Sequence, residues 1–234
     1  MWELFMENEY PSFNDIIATP IGGLALGETL YRTSDLVLDD RRIGANRFGR
    51  EFAGFLISPM RGLTRVINGD AWKVRPTTGK QFGVPDVAVD IAMGVRALEL
   101  KGEILDKGVG AAVDINIEYG DRFANENEKP YDYFTFKANV NIHGSQPLLS
   151  QLNIMGRLYV TDLIDTKKDF LSLGFYQHFD YYDSDTISDV SDKIPYKFCT
   201  PASFGAGLIY KSNRTKNFSF DAYAHANLVL MGAS

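Results

Sequence analysis

From residue 86 onward, apolar and polar positions alternate with period two. That is the spacing at which a β-strand turns successive side chains to opposite faces. Near 87–97, Val87, Val89, Ile91, Met93 and Val95 share one face, and Ala88, Asp90, Ala92, Gly94 and Arg96 share the other. The alternation returns near 109–119, 133–143, 151–161, 171–182, 203–210 and 218–230, which predicts seven strands. In 151–161 the apolar set is Leu152, Ile154, Gly156, Leu158 and Val160; in 171–182 it is Leu171, Leu173, Phe175, Phe179 and Tyr181. Short polar connectors at 165–168 and 213–217 alternate with longer ones at 121–130 and 183–194. This is the rhythm of an up-and-down antiparallel sheet.

Residues 1–69 follow a helical pattern instead. Ser12 is a good N-cap, and Asp15 stands three positions later as in a capping box. Thr19-Pro20 repeats the start signal, for a helix running to about Leu38 and stopping before Asp39-Asp40-Arg41-Arg42. A further helix is expected from about Ala45 to Ile57, and Ser58-Pro59 opens a short one ending near Asn68-Gly69. Gly22, Gly23 and Gly27 weaken a helix, so their clustering predicts close approach of another backbone. The chain thus reads as a helical segment 1–69 (a plug or periplasmic cap), a linker 70–85, and a strand region 86–234.

The apolar strand faces are five to seven positions long, approaching the ~9–11 residues that a strand needs to cross a bilayer. Tyr119, Phe134, Tyr181, Tyr210 and Phe218 stand at the ends of these faces, as in an interfacial aromatic girdle. The opposite faces mix Tyr, Asn, Asp, Arg, Lys and His with Gly, as a wet or plugged lumen would. The expected fold is therefore mainly β with N-terminal helices: an up-and-down antiparallel β-barrel of outer-membrane type. A soluble lipocalin-like barrel is the alternative, and it would enclose Val113, Ile115, Phe136, Val140 and Leu173 around a cavity. Seven strands make an odd number, whereas bacterial membrane barrels usually have an even one. The barrel is thus expected to be incomplete and the chain to be a fragment, consistent with an opening Met1-Trp2-Glu3 that lacks an export signal. No apolar run reaches the ~18–20 residues of a membrane-spanning helix.

A net charge of −6 over 234 residues, with basic residues scattered, argues against nucleic acid as a partner. One cysteine, Cys199, excludes an internal disulfide or a CxxC site. No nucleotide-binding, nucleophile-elbow or zinc-protease motif is present, so no cofactor or metal is expected. Outer-membrane lipid is the expected partner, with small-molecule or lipid cargo as a further option. His143, His178 and His225 lie on polar strand faces; with Ser172 or Ser219 as nucleophile and Asp180 or Asp221 orienting a histidine such as His178 or His225, they would form a hydrolytic site. A lipid-modifying hydrolase or acyltransferase is accordingly the enzymatic alternative to a structural or transport role. The helical half is rich in ionisable groups, among them Asp15, Glu28, Arg32, Asp35, Arg47, Arg50, Glu51, Arg61 and Arg65. The simplest reading is a solvated amphipathic surface. A second is a plug whose Asp15, Glu28, Arg32, Arg50, Glu51 and Arg61 meet wall residues such as Asp114 and Arg157. A third is a basic face that binds lipid phosphates.

The segments Tyr10-Pro11-Ser12-Phe13-Asn14-Asp15-Ile16-Ile17-Ala18-Thr19-Pro20-Ile21-Gly22-Gly23, Gly27-Glu28-Thr29-Leu30-Tyr31-Arg32 and Ile57-Ser58-Pro59-Met60-Arg61-Gly62 resemble a family of Gram-negative bacteria, including Bacteroidetes, known as domain of unknown function 3943. The resemblance covers mainly residues 1–70. It implies an outer-membrane location and no particular reaction.

Overall fold

The computed structural model describes residues 13–100, 103–123, 129–143, 146–184, 196–215 and 218–233. Three helices come first: α1 (Phe13–Val37), α2 (Gly44–Ile57) and α3 (Pro59–Ile67). Seven strands follow: β1 (Val87–Leu100), β2 (Glu103–Tyr119), β3 (Phe134–Ile142), β4 (Leu149–Asp165), β5 (Asp169–Ser184), β6 (Tyr196–Thr215) and β7 (Phe218–Ala233). Contacts divide the chain into two compact units, Met1–Ala25 with Val87–Ser234, and Leu26–Asp86.

The strands form one antiparallel sheet in chain order, with β1 and β7 as its unclosed edges. Register keeps like with like. Val89, Ile117, Phe136, Ile154 and Phe179 pair in succession across β1 to β5. On the other face, Arg157, Tyr176, Gly205 and Asn227 pair across β4 to β7. A bulge in β4 interrupts the expected alternation: after Arg157 the register shifts, so Tyr159 pairs with Phe175 and Val160 with Gly174. The extra residue moves Val160 to the polar face, where it is buried, and leaves Tyr159 exposed on the apolar one. Leu158 and Val160 therefore do not continue the row of Leu152 and Ile154.

Polarity in β5 and β6 is the reverse of a soluble sheet. Leu173 and Phe175 are 37% and 45% exposed, and Ala206 and Leu208 are exposed beside them. Ser172, Gly174, Tyr176, Ser203, Gly205 and Gly207, on the opposite face, are buried. The polar face is also the concave one. In a flat sheet β2 and β7 would stand five strand spacings apart, about 24 Å. Arg122, just beyond β2, instead brings its Cζ within 5.8 Å of the Tyr223 ring centre on β7. The sheet thus curls around its polar side in the manner of a barrel wall. Of the aromatic residues at the ends of the apolar faces, Tyr119 and Phe134 stack at 4.6 Å and are buried.

Helix α1 runs through Pro20 without a new start. Proline removes one donor, that to the Ile16 carbonyl, and the turns on both sides carry the helix across. Of the three glycines, Gly22 alone has a close neighbour: a Cβ there would lie 2.9 Å from Pro201 and 3.1 Å from Phe179. Gly23 and Gly27 face open space. Gln177 Nε2 donates to the Ile21 carbonyl at 2.7 Å and its Oε1 accepts from Tyr131 at 2.9 Å. Ile21 and Gly22 of α1 therefore meet β5 and β6 at Gln177, Phe179 and Pro201. On the apolar side Leu173 and Phe175 are exposed, whereas Phe179 packs against Gly22 of the helix.

In the unit Leu26–Asp86 the interior is ionic. Arg32, Asp35, Asp40, Arg47 and Arg61 are buried, which overturns the reading of a solvated charged surface. Residues 70–86 fold back onto the helices, with Asp40 N donating to the Thr78 carbonyl at 2.9 Å and Arg75 N to the Asp40 carbonyl at 3.0 Å.

Candidate functional site

Alternate positions of the curled sheet converge on a cleft of about 250 Å³ on its polar side. Glu118 of β2, Tyr133 and Lys137, Met155 of β4, and Tyr223 and His225 of β7 line it, together with Arg122. Glu118 Oε1 accepts from Arg122 Nη2 at 2.9 Å and from the Tyr133 hydroxyl at 3.0 Å. Arg122 Nε donates to the same hydroxyl at 3.1 Å. Arg157, 1% exposed, lies beneath with its Cζ 5.3 Å from the Tyr133 ring centre, and donates to Asp132 at 3.1 Å. Tyr133, Tyr176 and Ile209 form a buried apolar centre, with Phe123 and Met155 packed against it.

The histidines meet this wall edge-on. His225 stands 4.8 Å from the Tyr176 ring and 6.3 Å from His178. Glycine makes the room: a Cβ on Gly207 would lie 2.9 Å from Tyr176, and one on Gly174 would overlap the same ring. Ser172 Oγ, Tyr176 OH, His178 Nε2 and His225 Nδ1 are buried and have no hydrogen-bond partner among the described residues. Buried polar atoms are ordinarily satisfied by protein, ordered water or ligand. Four such atoms along one concave wall give a surface suited to water or a polar ligand.

The candidate hydrolytic residues are spread along that wall. Ser172 and His178 share a face of β5 but stand six positions apart, about 20 Å along a strand. Ser172 pairs across the sheet with Asp162 and Ile209. Asp180 accepts from Asn153 at 2.7 Å, and Asp221 pairs with Lys211. His178 and His225 are thus brought together, and Ser172 is not brought to either. Among the described residues no group of His, Cys, Asp and Glu has the geometry of a metal site.

The ionisable groups of the helical half have partners nearby in sequence or fold. Glu28 pairs with Arg32 at 3.1 Å, Arg61 with Asp35, and Arg65 with Glu51 at 2.8 Å. Arg50 donates to the Val37 carbonyl at 2.8 Å. Hydrogen bonding to Glu51, and next to Asp40, raises the Arg65 pKa above its ordinary value against the effect of burial. Asp114 accepts from Asn139, Arg157 donates to Asp132, and the side chain of Asp15 lies outside the described residues. Sequence reasoning passed over Gln177, which ties α1 to the sheet. Its signal was there: a polar side chain in the otherwise apolar row Leu171, Leu173, Phe175, Phe179.

No helix among the described residues is long and apolar enough to cross a membrane, which leaves open a crossing by strands. No curated protein matches this chain, and no solved structure matches it. Residues 1–60 match the family model described as Domain of unknown function (DUF3943), the family that the motif Tyr10–Gly23 resembles.

Proposed function

We propose that the sheet is part of an outer-membrane β-barrel of a Gram-negative, Bacteroidetes-type bacterium, with a structural or transport-related role. The carrying observation is the inverted polarity of β5 and β6: Leu173, Phe175 and Leu208 exposed, Ser172, Tyr176 and Gly207 buried on the concave side. Water does not favour that arrangement, whereas lipid outside and a polar lumen inside do. Strand length supports it: all strands but β3 have 14 to 20 residues. A lipocalin-like interior would need Leu173 buried, and a Ser–His hydrolase would need Ser172 beside a histidine. The lumen wall, with Arg122, Glu118 and the tyrosines, suits a small polar or amphiphilic cargo. Outer-membrane fractionation and heat-modifiable gel migration test the reading. Recovery of the protein in the detergent-free soluble fraction would refute it.

A further inference from the structure

Helices α2 and α3 carry their polarity the wrong way round for a surface in water. On α2, Arg47, Glu51 and Gly54 turn inward, and Phe48, Phe52, Phe55 and Leu56 are exposed. The two sets follow the same i, i+4, i+7 spacing, one residue out of step, so they occupy adjoining faces. On α3, Arg61, Gly62 and Arg65 face inward, and Met60, Leu63 and Ile67 face outward. Ile67 is 74% exposed and Trp72, just beyond, 69%. Phe48 and Phe52 stack, and with Phe55, Val66 and Trp72 they border an apolar cleft of about 380 Å³. The inward charges are matched: Arg47 to backbone carbonyls, Arg61 to Asp35, Arg65 to Glu51 and Asp40.

The rim supplies the second observation. Residues 39–75 hold eight basic side chains and four acidic ones, a local excess of cations in a chain whose net charge is −6. Arg41 and Arg42, which share Asp39, Arg75, which pairs with Asp70, and Lys73 are all exposed around the apolar face. An apolar stripe with Phe and Trp, edged by cations, is the pattern of a helix lying in a bilayer interface with phosphates at its border. We propose that α2, α3 and Trp72 form a monotopic docking surface for an anionic lipid bilayer, with the aromatic face in the acyl region and the rim cations on headgroup phosphates. Residues 41–75 have this surface whether or not the sheet enters the membrane.

The test uses the full chain with Trp2→Phe, which leaves Trp72 as the single tryptophan. The protein is reconstituted into phosphatidylethanolamine–phosphatidylglycerol vesicles with acyl chains brominated near the headgroup. Trp72 emission should shift to the blue and fall at least twofold relative to unbrominated vesicles. The added pair Phe52→Asp and Ile67→Asp, at exposed positions that leave the ionic interior intact, should abolish the quenching while circular dichroism stays unchanged. Replacing phosphatidylglycerol by phosphatidylcholine should reduce it at least threefold. Unchanged Trp72 emission with full acrylamide access in anionic vesicles would overturn the proposal. So would protection of Trp72 without lipid that rises with protein concentration, which assigns the face to a second copy.

Discussion

Replacing Arg47 by methionine should loosen the helical unit without touching the sheet. The guanidinium makes five hydrogen bonds to main-chain carbonyls, at 2.7 Å to Ala71, Asp70 and Lys73, 2.8 Å to Asp40 and 3.3 Å to Arg42. It thereby fastens α2 to the segments on either side of the two helices. Methionine keeps the stem and removes every donor. Hydrogen bonds to a charged group contribute about 1.5–3 kcal/mol each, and unpairing one side of a buried charged interaction costs about 3–5 kcal/mol. The variant also avoids burying a charge, and water can reach the carbonyls near exposed Lys73, so the low end, about 3 kcal/mol, is expected. At about 1.4 kcal/mol per tenfold, that is roughly a hundredfold in the local opening constant. Hydrogen exchange with mass spectrometry reads it directly: amides of α2 and of 70–75 should exchange about a hundredfold faster, and those of β4 should not change. Arg47→Lys should restore part of the protection. Exchange within threefold of the parent across α2 would refute the clamp.

Gly62→Ala should destabilise the same unit by about 1–3 kcal/mol, because its Cβ would sit 2.7 Å from Phe55 Cα and force α2 and α3 apart. Gly49→Ala, on α2 with nothing within 4 Å, should be neutral or stabilise by up to about 1 kcal/mol; equal melting of the two variants would contradict this contrast. The Arg41 side chain, hydrogen-bonded to Asp39 at 3.0 Å, holds the Asp39 carboxyl well below the usual carboxylate range, against the opposing effect of burial. Its folded-state pKa is depressed, so its stabilisation is present above the unfolded value near 3.9 and is lost as pH falls below that. Melts followed by Trp72 emission in the Trp2→Phe chain should therefore fall below about pH 4, and added Asp39→Asn should show a shallower fall. Gln177→Leu removes the donor to Ile21 and should speed amide exchange in the first turns of α1 while leaving α3 unchanged.

The strand half was legible because period-two alternation survives in the sequence whichever solvent lies outside. The seven strands and their neighbours follow from it, and the short 165–168 connector is a tight turn closed by Thr166 N to the Asp169 carbonyl at 2.9 Å. The β4 bulge was not legible, since one inserted residue leaves the alternation of Leu158 and Val160 in the sequence intact while it changes their partners and turns Val160 to the polar face. The ionic interior of residues 26–86 was missed for a different reason. Charge density in helices is ordinarily a surface signal, and it was the exposure of Phe48, Met60 and Trp72 that revealed the inversion. The histidine pair depends on His178 and His225 meeting across β5 to β7, a distance in sequence that no spacing rule covers.

The direction of the apolar strand faces is best measured by nitroxide labels at single cysteines. In a Cys199→Ser background, labels replace Ser172, Leu173, Phe175, Leu208 and Ile209 one at a time, with the protein folded in lipid bilayers. Collision with oxygen, which concentrates in lipid, should be high at Leu173, Phe175 and Leu208. It should be low at Ser172 and Ile209, with a water-soluble nickel complex giving the reverse order wherever the label is reachable. High nickel access at Leu173, Phe175 and Leu208, with oxygen favouring neither face, would place the apolar side in water and contradict the membrane barrel.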